Sequence, residues 1–512
     1  MHPVNETLLD EKLAQLERVG NWSPRIISKL ESFIRAADDY DIFRVNPLQY
    51  AAEKGITETE AIDLFLHASK MGLFDLEWNL ICDCCGQVSS SLRSIGKLHT
   101  HFICSMCRME NNVQLDDRIQ VSFTIAQAIR ENTFRNPEKL SAHDYVFRYR
   151  FTHGIKRQPV NCSNSEYFEK YTRTLAYLEP GEKIAVDVEI NPGFAYGGDV
   201  LRGNIVGFYV TPKVNEQGPP PVQVHFGLPD MKVAQPETAP LVLQLPTAHG
   251  TSSFDLTHFA QVPAGISQWA FENHLTERAC VWVLDAPEDI TSTWMEIPHY
   301  LSGKRLFTSQ TFRNLYRSEV IEADEGIGIR EITFLFTDLK GSTDLYDQLG
   351  DLKAYHLVRQ HFDELNTVIA KHSGAIVKTI GDAVMAAFNT PQDGVQAALE
   401  IFRAIEEFNK GRSEQLILKI GLHTGHSIAV TLNDRLDYFG QTVNIAARAQ
   451  QLAEANEICI SQDVFAHKGV CALLETCNVT PVQVNVKGIS SKLQLYKVTM
   501  PQMQPSAAVN PG

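Results

Sequence analysis

Along residues 1–78 the apolar positions recur with a helical period. Pro47–Lys54 is followed by Gly55, and a second segment opens at the cap Thr57 and runs to Lys70, with Gly72 just beyond. Proline at a helix start, a threonine cap and a terminal glycine punctuate a helix-turn-helix. Leu73–Trp78 then begins a strand, and the stretch predicts a helical, winged-helix-like unit. Its second helix, TETEAIDLFLHASK, sets Glu58, Glu60 and Asp63 against Lys70. DNA phosphates repel such a helix, so it is expected to pack or to bind a partner, and nucleic-acid binding is not expected.

Over residues 111–300 the pattern becomes strand-like. Lys183–Ile190, Asn204–Val210, Val222–Leu228, Leu241–Leu245 and Ala279–Leu284 are short β-prone runs. Glycine, proline and asparagine punctuate them, as in NPGFAYGGD and NEQGPPP, and a sandwich-like β-rich domain is expected. The Gly198–Asp199 pair reads as a turn. Residues 301–327 are a connector, amphipathic over LSGKRLFTSQTFRNLYRSEVI. From Ile327 the order changes to strand, helix, strand, strand, helix, strand, giving a further domain over 328–500. Residues 501–512, PQMQPSAAVNPG, read as a disordered tail.

Composition narrows the class. A chain of 512 residues is too long for one ordinary core, and 44% hydrophobic residues suit a globular multidomain α+β protein. No apolar run reaches ~18 residues, so no membrane span is expected. The start, MHPVNETLLDEKLAQLERVG, lacks the basic and apolar regions of a secretory signal. A net charge of −15 disfavours general binding to nucleic acid or anionic membranes. The ten cysteines do not form a secreted disulfide framework, and a reducing cytoplasm fits them better.

Two Cys-x-x-Cys pairs, Cys82/Cys85 and Cys104/Cys107, are separated by residues 86–103. That spacing predicts a four-cysteine zinc ribbon over 79–110. Each pair folds as a knuckle, and two knuckles complete a tetrahedron of thiolates around Zn²⁺. Four thiolates leave no open position, so the expected role is structural.

The stretch FTDLKGST, Phe336–Thr343, ends an alternating run in which Ile332, Phe334 and Phe336 interleave with Thr333, Leu335 and Thr337. Asp338 stands at the strand's end, Gly341 allows a turn, and Ser342 can cap the following helix. A glycine turn entering a helix offers free N–H groups to phosphate oxygens. Ala375–Ile380 and Ala383–Phe388 predict a hairpin with Gly381–Asp382 at its tip, which brings both aspartates to one end of a sheet. Two such carboxylates suit magnesium with substrate phosphates. In DYFGQTVNIAAR, residues 437–448, Asn444 and Arg448 share a helical face. Together they can orient and neutralise a phosphoryl transition state.

Residues 328–500 resemble the class III nucleotidyl cyclase catalytic domain in FTDLKGST, KTIGD, DYFGQTVNIAAR and VNVKG. The resemblance implies a ferredoxin-like α/β domain with Asp338 and Asp382 as ligands of two Mg²⁺ or Mn²⁺ ions. By the same resemblance Lys378 and Asp437 read the base, Asn444 orients the ribose and Arg448 stabilises the pentavalent phosphorus. Leu339, Lys340, Gly341, Ser342, Thr343 and Lys487 would contact phosphates. The family's sites form between two subunits, so a homodimer is expected. Phe439 and Gln441 depart from the commoner family residues without carrying chemistry. The connector and the cysteine-paired segment resemble uncharacterised N-terminal halves of some bacterial soluble cyclases.

Lysine only donates and an ionised aspartate only accepts. Adenine offers the matching N1 acceptor and N6 donor, whereas guanine offers the reverse, so ATP is the expected substrate. The expectation is a cytoplasmic adenylate cyclase with an N-terminal region that answers to an unidentified regulatory ligand or protein. The alternatives are a guanylate cyclase, or a zinc-ribbon and winged-helix regulator that binds nucleotide without turnover.

Overall fold

The structure is a computed structural model. It describes the chain apart from residues 1, 21, 84, 106–108, 213–220, 228–231, 235–240, 246–259, 287–293, 323–325, 486–491 and 502–512. The expected tail therefore lies almost wholly outside the described residues.

Four helices open the chain: Glu6–Val19, Pro24–Ala36, Pro47–Lys54 and Glu58–Lys70. Gly55 turns in the left-handed region (φ 59°), and Thr57 and Glu60 form a reciprocal capping box that starts the fourth helix. That helix buries Ala61, Ile62, Leu64, Phe65, Leu66 and Ala68, so it is a packed element and not a displayed one. Strand Phe74–Ile81 follows, running across the expected 78/79 border. It is the centre of a three-stranded antiparallel sheet, flanked by Val88–Leu92 and Ile119–Ile125. The cysteine segment is thus sewn into this sheet.

The sandwich strands begin at Thr172. One five-stranded sheet has the order Ala260–Pro263, Asn204–Thr211, Gly193–Asp199, Ala279–Ala286, Thr172–Leu178. The other runs Lys232–Ala234, Leu241–Leu245, Val222–Phe226, Gly265–Asn273, Lys183–Ile190. Leu178, Val188, Phe208, Val224, Trp269 and Val283 are among the core residues between them. Two readings need correction here. NPGFAYGGD is largely a strand, and Gly198–Asp199 ends it instead of turning. The glycines serve close approach: a Cβ on Gly198 would lie 2.0 Å from the Asn204 carbonyl oxygen. Buried Asp199 then holds the next turn through Arg202, at 2.8 Å, and the Leu201 N–H.

The connector forms two short helices, Gly303–Phe307 and Gln310–Leu315, capped by Ser302 and Ser309. The C-terminal sheet has the order Gly374–Ile380, Ala383–Phe388, Ile327–Leu339, Leu418–Leu432, Glu457–Ser461, Leu493–Thr499, Asn478–Val484. Arg435–Phe439 pairs with the far part of Leu418–Leu432. Alternation along Ile327–Leu339 gives the sheet two apolar faces. Leu335, Ala386, Phe388 and Leu422 join Leu365, Ile369, Ala398 and Phe402 of helices Asp351–Lys371 and Pro391–Asn409. Phe334, Phe336, Met385 and Tyr438 join a core that continues through Phe307 and Phe312 to Trp78 and Phe65. Among the described residues no helix is long and apolar enough to cross a membrane.

Candidate active site

Asp338 sits one residue from the end of Ile327–Leu339. Its neighbour Thr337 pairs with Val384, so Asp338 and Asp382 lie on adjacent strands at one end of the sheet. On the other side Asp338 is opposite Lys419, whose Nζ is 3.2 Å from the Asp338 carboxylate. Gly381 places Asp382 at the hairpin tip by adopting φ 63°. The Asp382 Oδ2 atom is buried and has no hydrogen-bond partner. Burial, and then the Asp382 charge, push the Tyr346 phenol up, which puts helix Ser342–Leu349 beside this carboxylate.

An unpaired buried carboxylate oxygen is costly unless a cation or donor meets it. Asp382 therefore fits a divalent-cation ligand. Asp338 fits as well, being partly exposed and close to a compensating lysine. Hard divalent cations are suited to two such carboxylates together with phosphate oxygens.

The turn after Asp338 is partly as expected. Gly341 adopts φ 75° at the N-cap of Ser342–Leu349. Ser342 is the helix's first residue and not its cap, and no side-chain cap bond forms, because glycine already makes the turn. Leu339 is buried in the core, and the Lys340 N–H donates to the Ile417 carbonyl at 2.8 Å. The first helical N–H groups are the ones left to meet anions. The Thr343 side chain and Lys487 lie outside what the structure describes.

Lys378 and Asp437, far apart in sequence, come together at 2.5 Å between Nζ and Oδ2. The other Asp437 oxygen accepts from the Tyr438 N–H at 2.8 Å. Asn444 and Arg448 lie on the exposed side of helix Gln441–Leu452, whose other side buries Ile445, Ala446 and Ala449. Gly421 lets that helix lie on the sheet, since a Cβ there would stand 2.0 Å from the Gln450 nitrogen. Arg448 donates to the Gln451 side chain at 2.8 Å.

Three neighbours of these residues are not evident in the sequence. Lys419 meets Asp338 only through strand register. Gln310 of the connector accepts from the Ile376 N–H at 2.7 Å. Arg313 donates to the Leu436 carbonyl at 2.6 Å. The connector thus touches both strands that carry the Lys378–Asp437 pair, within two residues of each member. Its amphipathic pattern showed that it packs, but not against what.

Away from this site, the Sγ atoms of Cys82, Cys85 and Cys104 lie within 4.8 Å of one another and are buried. Cys85 and Cys104 are 3.5 Å apart, and the Asn111 side-chain amide donates to Cys82 at 3.7 Å. Cys107 lies outside the described residues.

The fold and these motifs define a class III nucleotidyl cyclase domain at the C-terminal end: residues 327–499 match the adenylate and guanylate cyclase catalytic domain family. Residues 9–196 match a family of unknown function (DUF5939). The chain is similar to adenylate cyclase 1 of Rhizobium meliloti, 28% identical over 33% of this chain and 27% of that protein. It is also similar to guanylate cyclase 2G of Mus musculus, 32% identical over 26% of this chain and 13% of that protein. The chain therefore spans less than a third of the length of either relative. The adenylyl cyclase CyaB from P. aeruginosa is a solved structure with 24% identity and a TM-score of 0.30, covering 35% of this chain and 97% of that one. Both adenylate and guanylate cyclases stand among the relatives, so the match defines the cyclase class and leaves the base open.

Proposed function

We propose that the protein is an adenylate cyclase that converts ATP to 3′,5′-cyclic AMP and pyrophosphate. The observation that carries this reading is the Lys378–Asp437 pair. A donor and an acceptor held side by side match the N1 and N6 edge of adenine. Guanine would set like against like, and such mismatched polar sites discriminate strongly.

In this reading Asp338 and Asp382 hold two Mg²⁺ or Mn²⁺ ions. When bound, such ions lower the pKa of the ribose 3′-hydroxyl and neutralise phosphate charge. The N–H groups at Gly341 and Ser342 receive phosphate oxygens, Asn444 orients the ribose, and Arg448 stabilises charge developing at the α-phosphorus as pyrophosphate leaves. One chain carries each half of the constellation once, so a homodimer completes two equivalent sites. Cys82, Cys85 and Cys104, with Cys107, hold a structural Zn²⁺, and the region before residue 328 regulates the site through the connector.

Chromatography of products formed from ATP and from GTP tests the reading. Cyclic AMP as the dominant product supports it, cyclic GMP as the dominant product makes the chain a guanylate cyclase, and no turnover makes it a nucleotide-binding regulator. Lys378→Glu combined with Asp437→Cys should lower ATP use and raise GTP use relative to it. An unchanged ratio would mean that the base is read elsewhere.

A further inference from the structure

A second cluster of metal-ligating side chains lies on the sandwich, between the two family-matched stretches. Strand Val222–Phe226 pairs with Gly265–Asn273 so that His225 is opposite Glu272. His274 follows directly, its N–H bonded to the Phe226 carbonyl at 2.9 Å. The His225 Nδ1 and His274 Nε2 atoms are 3.2 Å apart. Glu272 places Oε2 at 3.4 Å from the first nitrogen and Oε1 at 3.4 Å from the second.

The 3.2 Å between the two nitrogens and the 3.4 Å from Oε2 to His225 resemble the edges of a coordination polyhedron. For ligand atoms about 2.0–2.1 Å from a tetrahedral zinc, neighbouring ligands stand about 3.3 Å apart. Two imidazole nitrogens at such a distance can share only one proton, so one lone pair at most is used between them. We propose that His225, Glu272 and His274 form a divalent transition-metal site of the zinc class, with at least one position open to water or an added ligand.

The surroundings support this choice. Lys183, on the strand beyond, lies opposite Glu272 and holds Oε1 at 2.6 Å. That bond orients the carboxylate and leaves Oε2 to face the metal, the usual task of an outer partner. Two imidazoles suit zinc, cobalt, nickel or copper, whereas magnesium prefers oxygen ligands. The side chains are 23%, 21% and 36% exposed for His225, Glu272 and His274, so an ion reaches them from solution. The buried cysteine cluster offers no such access. The site is therefore distinct in chemistry from the thiols and from the carboxylates Asp338 and Asp382.

Cobalt(II) titration of the full-length chain, stripped beforehand with chelator, separates these sites. Thiolate ligation gives a charge-transfer band, whereas an imidazole and carboxylate site gives only weak d–d absorption. One cobalt equivalent of the second kind is expected, unaffected by excess Mg²⁺ and retained in Cys82→Ser. His225→Ala with His274→Ala should remove it while leaving the thiolate band and the circular dichroism unchanged. His274→Gln, one residue past the strand, is the milder variant. It should weaken binding by at least the roughly 10–100-fold that loss of an outer partner alone costs. The proposal is overturned if all wild-type cobalt is accounted for by the thiolate band, or if the folded variants bind as tightly as the wild type.

Discussion

The two faces of the catalytic sheet are covered by different parts of the chain. Leu335, Ala386, Phe388 and Leu422 lie under helices Asp351–Lys371 and Pro391–Asn409, which belong to the same stretch as the sheet. Phe334, Phe336, Met385 and Tyr438 share their core with Phe65, Trp78, Phe307 and Phe312, which come from the N-terminal region and the connector. The first face gives the domain its fold. The second makes the position of its strands depend on residues far upstream, and it is next to this cover that Lys378 and Asp437 are strung. A catalytic domain can thus be conventional on one side and answerable to a neighbour on the other.

The largest expected effect lies at the sheet's end, outside both faces. Asp338→Ala or Asp382→Ala should lower kcat by more than about 10³-fold without a change in far-UV circular dichroism, because a metal clamp contributes several kcal/mol to the transition state. Near-normal turnover in saturating Mn²⁺ would remove the aspartates from the site. Mixing the Asp338→Ala chain with an Arg448→Ala chain checks the division between subunits. Random pairing makes about half the dimers mixed, each with one intact site of two, so roughly a quarter of wild-type activity should return. Merely additive residual activity after verified exchange would place the whole site in one chain.

The two covers themselves can be compared by truncation. Phe312→Ala should cost about 3–5 kcal/mol and Leu335→Ala about 2–5 kcal/mol in urea unfolding of the full chain, both side chains being fully buried. Only Phe312→Ala should also lower kcat/KM in the protein that remains folded, since Phe312 supports the connector. Equal kinetic effects from both would erase the distinction between the faces.

One pH effect lies in the catalytic stretch. Burial pushes the His423 imidazole down from 6.5 to about 4, while its Nδ1 atom stays 2.7 Å from the Ser461 hydroxyl. Between those values the unfolded chain takes up a proton that the folded chain refuses. Stability is therefore lost as pH falls from 6.5 towards 4, by on the order of 3 kcal/mol in total. Urea midpoints at pH 7 and pH 5 should differ less in His423→Gln, and the change should add to that of Phe312→Ala. The smallest effect is that of Arg313→Ala. Losing its bond to the Leu436 carbonyl should shift KM for ATP by roughly fivefold, about 1 kcal/mol, with little change in melting temperature.

The sequence made the chemistry of the catalytic domain more legible than its setting. The hairpin around Gly381–Asp382 and the helix after Gly440 follow from local pattern and turn residues, and the structure has them within a residue of the expected bounds. Ser342 reads as a cap although Gly341 holds that position, because a left-handed glycine and a serine cap leave the same local signature. NPGFAYGGD reads as a turn yet forms a strand, because glycines that allow strands to approach look like glycines that turn. Lys419 beside Asp338, and Gln310 and Arg313 beside the strands that carry Lys378 and Asp437, depend on register and long-range packing, which no local period reports. The same holds for His225 and Glu272, which meet across a strand pair.

The shared core also sets an order of events during synthesis. Trp78 and Phe312 leave the ribosome well before Met385, Tyr438 and Ala446, the residues that complete their packing. At translation rates of about 5–20 residues per second the delay from Trp78 to Ala446 is on the order of tens of seconds. For that interval the N-terminal half carries an uncovered apolar surface, and it closes only when helix Gln441–Leu452 emerges. The nascent chain should therefore need a holding chaperone across this window, and nucleotide-binding competence should appear at the same moment as protease resistance of the N-terminal helices.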